Sequence, residues 1–283
     1  MGINIGASGE TGIWAGPSQV IQDGLSFYVD PGNVSCYNYG NSSTAVTDMG
    51  QGVSMTLSGA SWGDNDGGVS WSFDGINDSI VSDSTVTYTN YLTGNSTTAG
   101  TITVCIWFRT GKNYIGATGG SANLINLDGY VYSLFFQNGY LYLYASGDAG
   151  TTTLYNPATG GYHSTYTYTD LEGDNWYFYI GQINNKTSTD GDTPAGYVKS
   201  YVARGDAGGS AELLDEFASN TLNADFEFDD ADFNIELGYG SDNGWYFEGE
   251  IGPVMLYNRC LTEAERVHNY NVFRHRYYDT AIG

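Results

Sequence analysis

The 283 residues carry a formal charge of −23, with only 9 Lys and Arg against 32 Asp and Glu. Phosphate backbones are bound by clustered cations, so this balance excludes a nucleic-acid partner, and it would repel an anionic membrane surface. Hydrophobic residues make up 41% of the chain, enough for a sizeable core, while 25 Tyr and 40 Gly favour strands and turns.

Residues 1–20 are Gly-rich and polar, and they read as an N-terminal arm ahead of one domain spanning 21–283. Segment 25–30 (Leu-Ser-Phe-Tyr-Val-Asp) alternates like a strand and stops at Pro31-Gly32. Segment 69–73 is a second strand, ended by the turn pair Asp74-Gly75. The run 101–109 (Thr-Ile-Thr-Val-Cys-Ile-Trp-Phe-Arg) is the clearest strand of all. Segments 122–127, 130–137 and 140–145 follow as a meander. The last two are joined by Asn138-Gly139, the strongest short-range hairpin signal. Segments 176–183 and 195–203 make another pair, and 233–239 and 245–257 complete the set. Ten to fourteen strands without helices between them predict an antiparallel two-sheet sandwich.

After Tyr257 the pattern changes. Thr262 followed by Glu265 forms a capping box, in which hydroxyl and carboxylate each satisfy a free backbone N–H. One short C-terminal helix therefore closes an all-β chain. Three cysteines, Cys36, Cys105 and Cys260, are too few for a disulfide framework, and Cys105 reads as a small buried hydrophobe. The start, Met-Gly-Ile-Asn-Ile-Gly-Ala-Ser, has neither the basic region nor the apolar core of a signal peptide, and no apolar run approaches a membrane span.

Aromatic side chains beside amides or carboxylates suit a glycan or a protein partner. Tyr140, Tyr142 and Tyr144 alternate on one strand face, with Leu141 and Leu143 on the other. Trp245 and Tyr246 stand next to Asp242 and Asn243. Near the C-terminus Arg266, Arg274 and Arg276 are interleaved with aromatics and followed by Tyr277 and Tyr278. This segment reads either as packing for the terminal helix or as an attachment tail for an acidic partner surface.

Calcium is the cofactor that the oxygen-rich clusters suit, though none is required. Asp74, Asn77 and Asp78 form the leading set, with Asp64/Asn65/Asp66 and Asp190/Asp192 behind it; Asx turns that satisfy loop backbone are the competing account. A retaining glycosidase needs two carboxylates about 5 Å apart. The nearest sequence match is Glu227-Phe-Asp229-Asp-Ala-Asp232, which reads more simply as a solvated acidic edge; the chain is taken as non-enzymatic.

Several motifs together resemble a known family. The segment Val69-Ser-Trp-Ser-Phe-Asp-Gly-Ile-Asn-Asp78, the strand Ile102-Thr-Val-Cys-Ile-Trp107, the start Gly24-Leu-Ser-Phe-Tyr-Val-Asp30 and the ending from Phe247 to Glu265 occur in order. They resemble laminin-G-like, or concanavalin A-like, jelly-roll modules, and the termini look most like virion proteins of tailed bacteriophages. One departure is Gly252, where related modules often carry an acidic residue. The resemblance implies an all-β jelly-roll sandwich serving as a structural or decoration subunit on a phage particle, assembled in the host cytoplasm. Its partners would be other virion proteins, further copies of itself and, through an adhesive role, a cell-surface glycan. A carbohydrate-binding, lectin-like module is the alternative function.

Overall fold

The computed structural model describes residues 19–38, 43–65, 68–87, 93–95, 98–111, 121–127, 132–137, 140–144, 155–156, 161–162, 164–167, 175–184, 197–204, 215–221, 232–241 and 244–277. Two antiparallel sheets face each other. The first runs in the order Asp215–Thr221, Tyr197–Arg204, Trp176–Asn184, Thr98–Thr110, Glu248–Tyr257, Gly68–Asp74, Ser61–Asn65. The second runs Ser164–Thr167, Tyr140–Tyr144, Tyr132–Gln137, Ser121–Leu127, Ile235–Leu237, Ser79–Ser82, Ser54–Ser58, Ala45–Thr47. The all-β two-sheet sandwich expected from the sequence is thus the fold, with more strands than the ten to fourteen expected.

Strand period dictates the core. In the first sheet Val104, Ile106 and Phe108 point inward with Ile251, Val254 and Leu256. They meet Leu134, Phe136, Leu141, Leu143, Ile235 and Leu237 of the second sheet in one continuous apolar layer. Alternate residues of the first sheet, Cys105, Trp107, Phe178 and Ile180, face the other way and build a second layer under the terminal helix. Both faces of the first sheet therefore carry apolar layers, the outer one confined to the part beneath the terminal helix. In the second sheet only the inner face is covered by the sandwich, so its outer face can carry a site.

The strand Glu248–Tyr257 is the spine of the first sheet. On one side it pairs along Thr98–Thr110. On the other, its first half pairs with Gly68–Asp74 and its second half with Leu25–Val29. Gly252-Pro253 sits at the changeover, where the register also shifts against Thr98–Thr110. A proline, which lacks the N–H of a ladder, is tolerated at such an irregularity.

The C-terminal helix spans Glu263–Phe273. Its Thr262 hydroxyl accepts from the Glu265 N–H, while the Glu265 carboxylate accepts from the Thr262 N–H, so the capping box forms as the spacing predicts. The residues that follow correct the attachment reading. Tyr277 is fully buried, with its ring on Trp107 (centroids 4.8 Å apart) and Trp176 (4.4 Å), and it donates to the Val69 carbonyl at 2.8 Å. Gly252 leaves the space that this ring fills; a Cβ there would lie 2.6 Å from the Tyr277 oxygen. The space that an acidic side chain at this position would need is thus taken up by the Tyr277 ring. Arg276 is held by Asp30, and Arg266 donates to Gln182 and to the Leu261 carbonyl while its guanidinium lies 3.9 Å from the Tyr201 ring centre. Arg274 is half-buried and reaches Asn271. Arg266, Arg276 and Tyr277 serve the fold and are not a free docking tail. Tyr278 lies outside the described residues.

Residue 20, expected in the arm, belongs to the folded body. Val20 is buried in the helix-side layer, the Ile21 N–H donates to Asn269 Oδ1, and Tyr257 donates to the Ile21 carbonyl. The helix clamps this segment against the sheet, so the folded body already includes residue 20. Residues 1–18 lie outside the described residues.

Candidate functional site

The open face of the second sheet brings two of the sequence candidates together. Register along the hairpin pairs Gln137 with Tyr140, Phe135 with Tyr142 and Ser133 with Tyr144. Leu134, Phe136, Leu141 and Leu143 point into the core, which leaves Phe135 and Tyr142 side by side on the outer face. Their rings stack with centroids 5.2 Å apart and planes 12° from parallel. Trp245 approaches the other side of Phe135, its ring centre 5.5 Å away and tilted by 51°. Tyr142, Phe135 and Trp245 thus form an aromatic row across the strands.

Trp245 arrives by a break in a strand. The sequence reads 233–239 and 245–257 as two strands, but Gly238 adopts φ +71° and the chain leaves the sheet there. Tyr239–Gly240 then pairs with Trp245–Tyr246 as a small ribbon lying over the outer face, with the Tyr239 and Tyr246 rings stacked at 4.7 Å. Gly240 rests on the Asn123 side chain, where a Cβ would have no room. Trp245 and Tyr246 are half-buried, and among the described residues Phe135, Tyr142, Tyr239, Trp245 and Tyr246 gather on this face.

Beneath the ribbon lies a buried polar network. Glu236, on the outer face of Ile235–Leu237, accepts from Asn126 Nδ2 at 2.7 Å and from the Ser241 N–H at 3.0 Å, both at Oε2. Asn126 Oδ1 in turn accepts from the Ser133 hydroxyl. Glu236, Asn126, Asn123 and Ser133 are all buried, although they project from the sheet's outer surface, because the ribbon covers them. Buried polar groups are costly unless paired, so this network fixes the ribbon in one place. Ser133 lies two residues before Phe135, which ties the ribbon's foot to the strand that carries the row.

Of the other candidates, Tyr140 and Tyr144 are described by their backbone pairing alone, and Asp242 and Asn243 lie outside the described residues. Phe135 and the Glu236 network are additions that the sequence reading missed. Phe135 was within reach, because a two-residue Asn138-Gly139 connection places it opposite Tyr142. Glu236 was not, because nothing local announces that a ribbon will fold over it.

Asp74, Asn77 and Asp78 form a turn and do not fit a calcium cage. Asp78 Oδ2 accepts from the Asp74 N–H at 2.8 Å, and Asp74 Oδ1 accepts from the N–H groups of Ile76 (2.8 Å) and Asn77 (3.3 Å). One oxygen of each aspartate is thus turned to loop backbone, where calcium asks for six to eight oxygen ligands. Burial also raises the Asp78 pKa above the ordinary aspartate value, against cation binding. Among the described residues no group of three or more His, Cys, Asp or Glu is placed to hold a metal. Asp66, Asp190, Asp192, Asp225, Glu227 and Asp229 lie outside the described residues. No helix among the described residues is long and apolar enough to cross a membrane.

No protein-family model and no curated protein matches the chain. Solved structures do. The botulinum neurotoxin serotype D ligand binding domain, in complex with N-acetylneuraminic acid, aligns over 90% of this chain and 51% of its own, with TM-score 0.54 and 13% identity. The likeness is one of fold. The binding domain of Paraclostridial Mosquitocidal Protein 1 aligns over 89% of this chain and 53% of its own, with TM-score 0.56 and 14% identity. Trypanosoma rangeli sialidase, in complex with sialic acid, aligns over 90% of this chain and 34% of its own, with TM-score 0.53 and 13% identity. The chain therefore spans about half the length of the toxin binding domains it resembles and about a third of the sialidase.

Proposed function

We propose that the chain is a non-catalytic binding module that presents the Tyr142–Phe135–Trp245 row to a glycan. The row carries this reading: rings from three separate segments meet on the outer face, with Phe135 buried between the partly exposed Tyr142 and Trp245. Aromatic faces edged by polar groups suit sugar rings, which offer C–H surfaces and hydroxyls together. Gln137, Ser121 and Ser241 supply such groups around the row, all at least partly exposed. Two proteins of similar fold have been solved with N-acetylneuraminic acid or sialic acid bound, which supports the class of ligand. A glycan-array screen with calcium and again with EGTA tests the proposal. Binding that survives EGTA is expected; a blank array in both conditions would contradict it.

The setting we propose is the surface of a phage particle, where the module is a decoration subunit beside other virion proteins. The laminin-G-like ending Phe247 to Glu265 supports this. Here the aromatic row would be the contact surface toward host or environmental glycans, and copies of the chain would associate through other faces. Co-purification of the chain with intact particles, and its display on their surface to an antibody, is the expected outcome.

A further inference from the structure

A second cleft opens on the other sheet, away from the aromatic row. Glu250 is the register partner of Ser72 on one side and of Arg109 on the other, and Trp176 stands opposite Arg109 on the next strand. One step along, Glu248 pairs with Asp74. Except for Trp176, these residues line a cleft of about 400 Å³ together with Phe73, Gly111 and Gly249, a size typical of small-molecule sites. No side chain narrows the mouth at Gly249, where φ is +149° and a Cβ would lie 2.3 Å from the Arg109 carbonyl oxygen.

The floor of the cleft is an incomplete ion pair. Arg109 Nε donates to Glu250 Oε2 at 2.5 Å, and Glu250 is only 6% exposed. Among the described residues this is the one hydrogen bond that either side chain makes. The two terminal guanidinium nitrogens and the second Glu250 oxygen therefore remain available where both residues line the cleft. A guanidinium fork calls for oxygen acceptors. Among the described lining residues one cation stands against the carboxylates of Asp74, Glu248 and Glu250, an excess of negative charge that disfavours an anion. Glu250 and Ser72 in turn accept hydroxyl hydrogens. The ligand that meets all these conditions is neutral and carries adjacent hydroxyls.

We infer that this cleft is a second binding site, built for a neutral polyhydroxylated ligand of the size of one hexose. It does not depend on the aromatic row. Saturation-transfer NMR would use D-glucose, D-galactose, D-mannose and N-acetyl-D-glucosamine as probes, with D-glucosamine and N-acetylneuraminic acid as charged comparators. Gly111→Phe places a ring in the cleft, and a Cβ there makes only ordinary contacts, at 3.4 Å with Gly249 and 3.9 Å with the Glu248 backbone. Arg109→Lys keeps a cation beside Glu250 but removes the fork. The expected result is transfer to at least one neutral sugar that persists in Trp245→Ala and weakens at least about tenfold in Gly111→Phe and Arg109→Lys. No transfer to any of the four neutral sugars, or to the charged comparators alone, would overturn the inference. So would a signal that Trp245→Ala abolishes and the two cleft variants leave intact; that result would point to the aromatic row alone.

Discussion

Arg276 Nη1 lies 2.7 and 2.9 Å from the two carboxylate oxygens of Asp30, and this contact joins the end of the first strand to the end of the last helical turn. Asp30 is almost fully buried, and it also accepts from the Gly32 N–H and from the Tyr28 hydroxyl. Removing one partner would strand a charge in the interior. Arg276→Met is expected to lower unfolding free energy by about 3–5 kcal/mol, whereas the paired change Arg276→Met with Asp30→Leu recovers part of the loss. A urea-melt double-mutant cycle measures both.

Acid stability should show two separable windows. Burial, then the charge of Arg276, pulls the His275 pKa down to about 4. The unfolded chain binds that proton at about pH 6.5, so stability falls as pH drops between these values. The bidentate guanidinium of Arg259 holds Glu265 down at about 2, aided by the Thr262 N–H and hydroxyl. Its contribution is present above the ordinary glutamate range and is lost as pH falls toward 2. His275→Gln is expected to flatten the upper part of the pH–stability curve, and Glu265→Gln the lower part. Urea midpoints taken from pH 7 to pH 2 give both slopes.

Truncation at residue 266 tests the corrected reading of the C-terminus. It would remove Tyr270, Phe273 and Tyr277 from the helix-side layer and expose Trp107 and Trp176. The expected outcome is an unfolded or aggregating protein rather than a folded one that fails to attach. Tyr277→Ala alone should cost about 3–5 kcal/mol, the usual range for an aromatic deleted from a core.

The sandwich was legible because its long strands are locally consistent. Val104, Ile106 and Phe108 alternate with Cys105 and Trp107, and the Thr262/Glu265 box announces the helix. Ala45–Thr47 was missed because it is only three residues long and Ser61–Asn65 because it is largely polar, and their pairing is imposed by neighbours rather than by their own pattern. The terminal arginines looked available because sequence shows charge but not the Asp30 carboxylate 246 residues away. Two of the three rings of the aromatic row, Tyr142 and Trp245, were visible. Their meeting through Phe135 depends on the turn at Gly238, and the alternating run 233–239 gave no reason to break there.

Glu236 should act as a positioning residue for the row. Glu236→Ala leaves the Asn126 amide and the Ser241 N–H without their acceptor, at a cost of about 1–3 kcal/mol. Because these two bonds fall on one oxygen, Glu236→Gln can retain them through its amide carbonyl. The Ala variant is expected to lose glycan affinity along with the order of the ribbon, and the Gln variant to recover both. Amide hydrogen exchange at 238–246, read beside the affinity, separates a loosened ribbon from a general loss of stability.

The most direct measurement is calorimetric titration of the best array glycan into the wild-type protein, Tyr142→Ala and Trp245→Ala, with thermal melts as the folding control. Each variant is expected to bind on the order of tenfold more weakly, about 1.4 kcal/mol, with its melting cooperative as in the wild type. Undiminished affinity in both folded variants would contradict the row as the site.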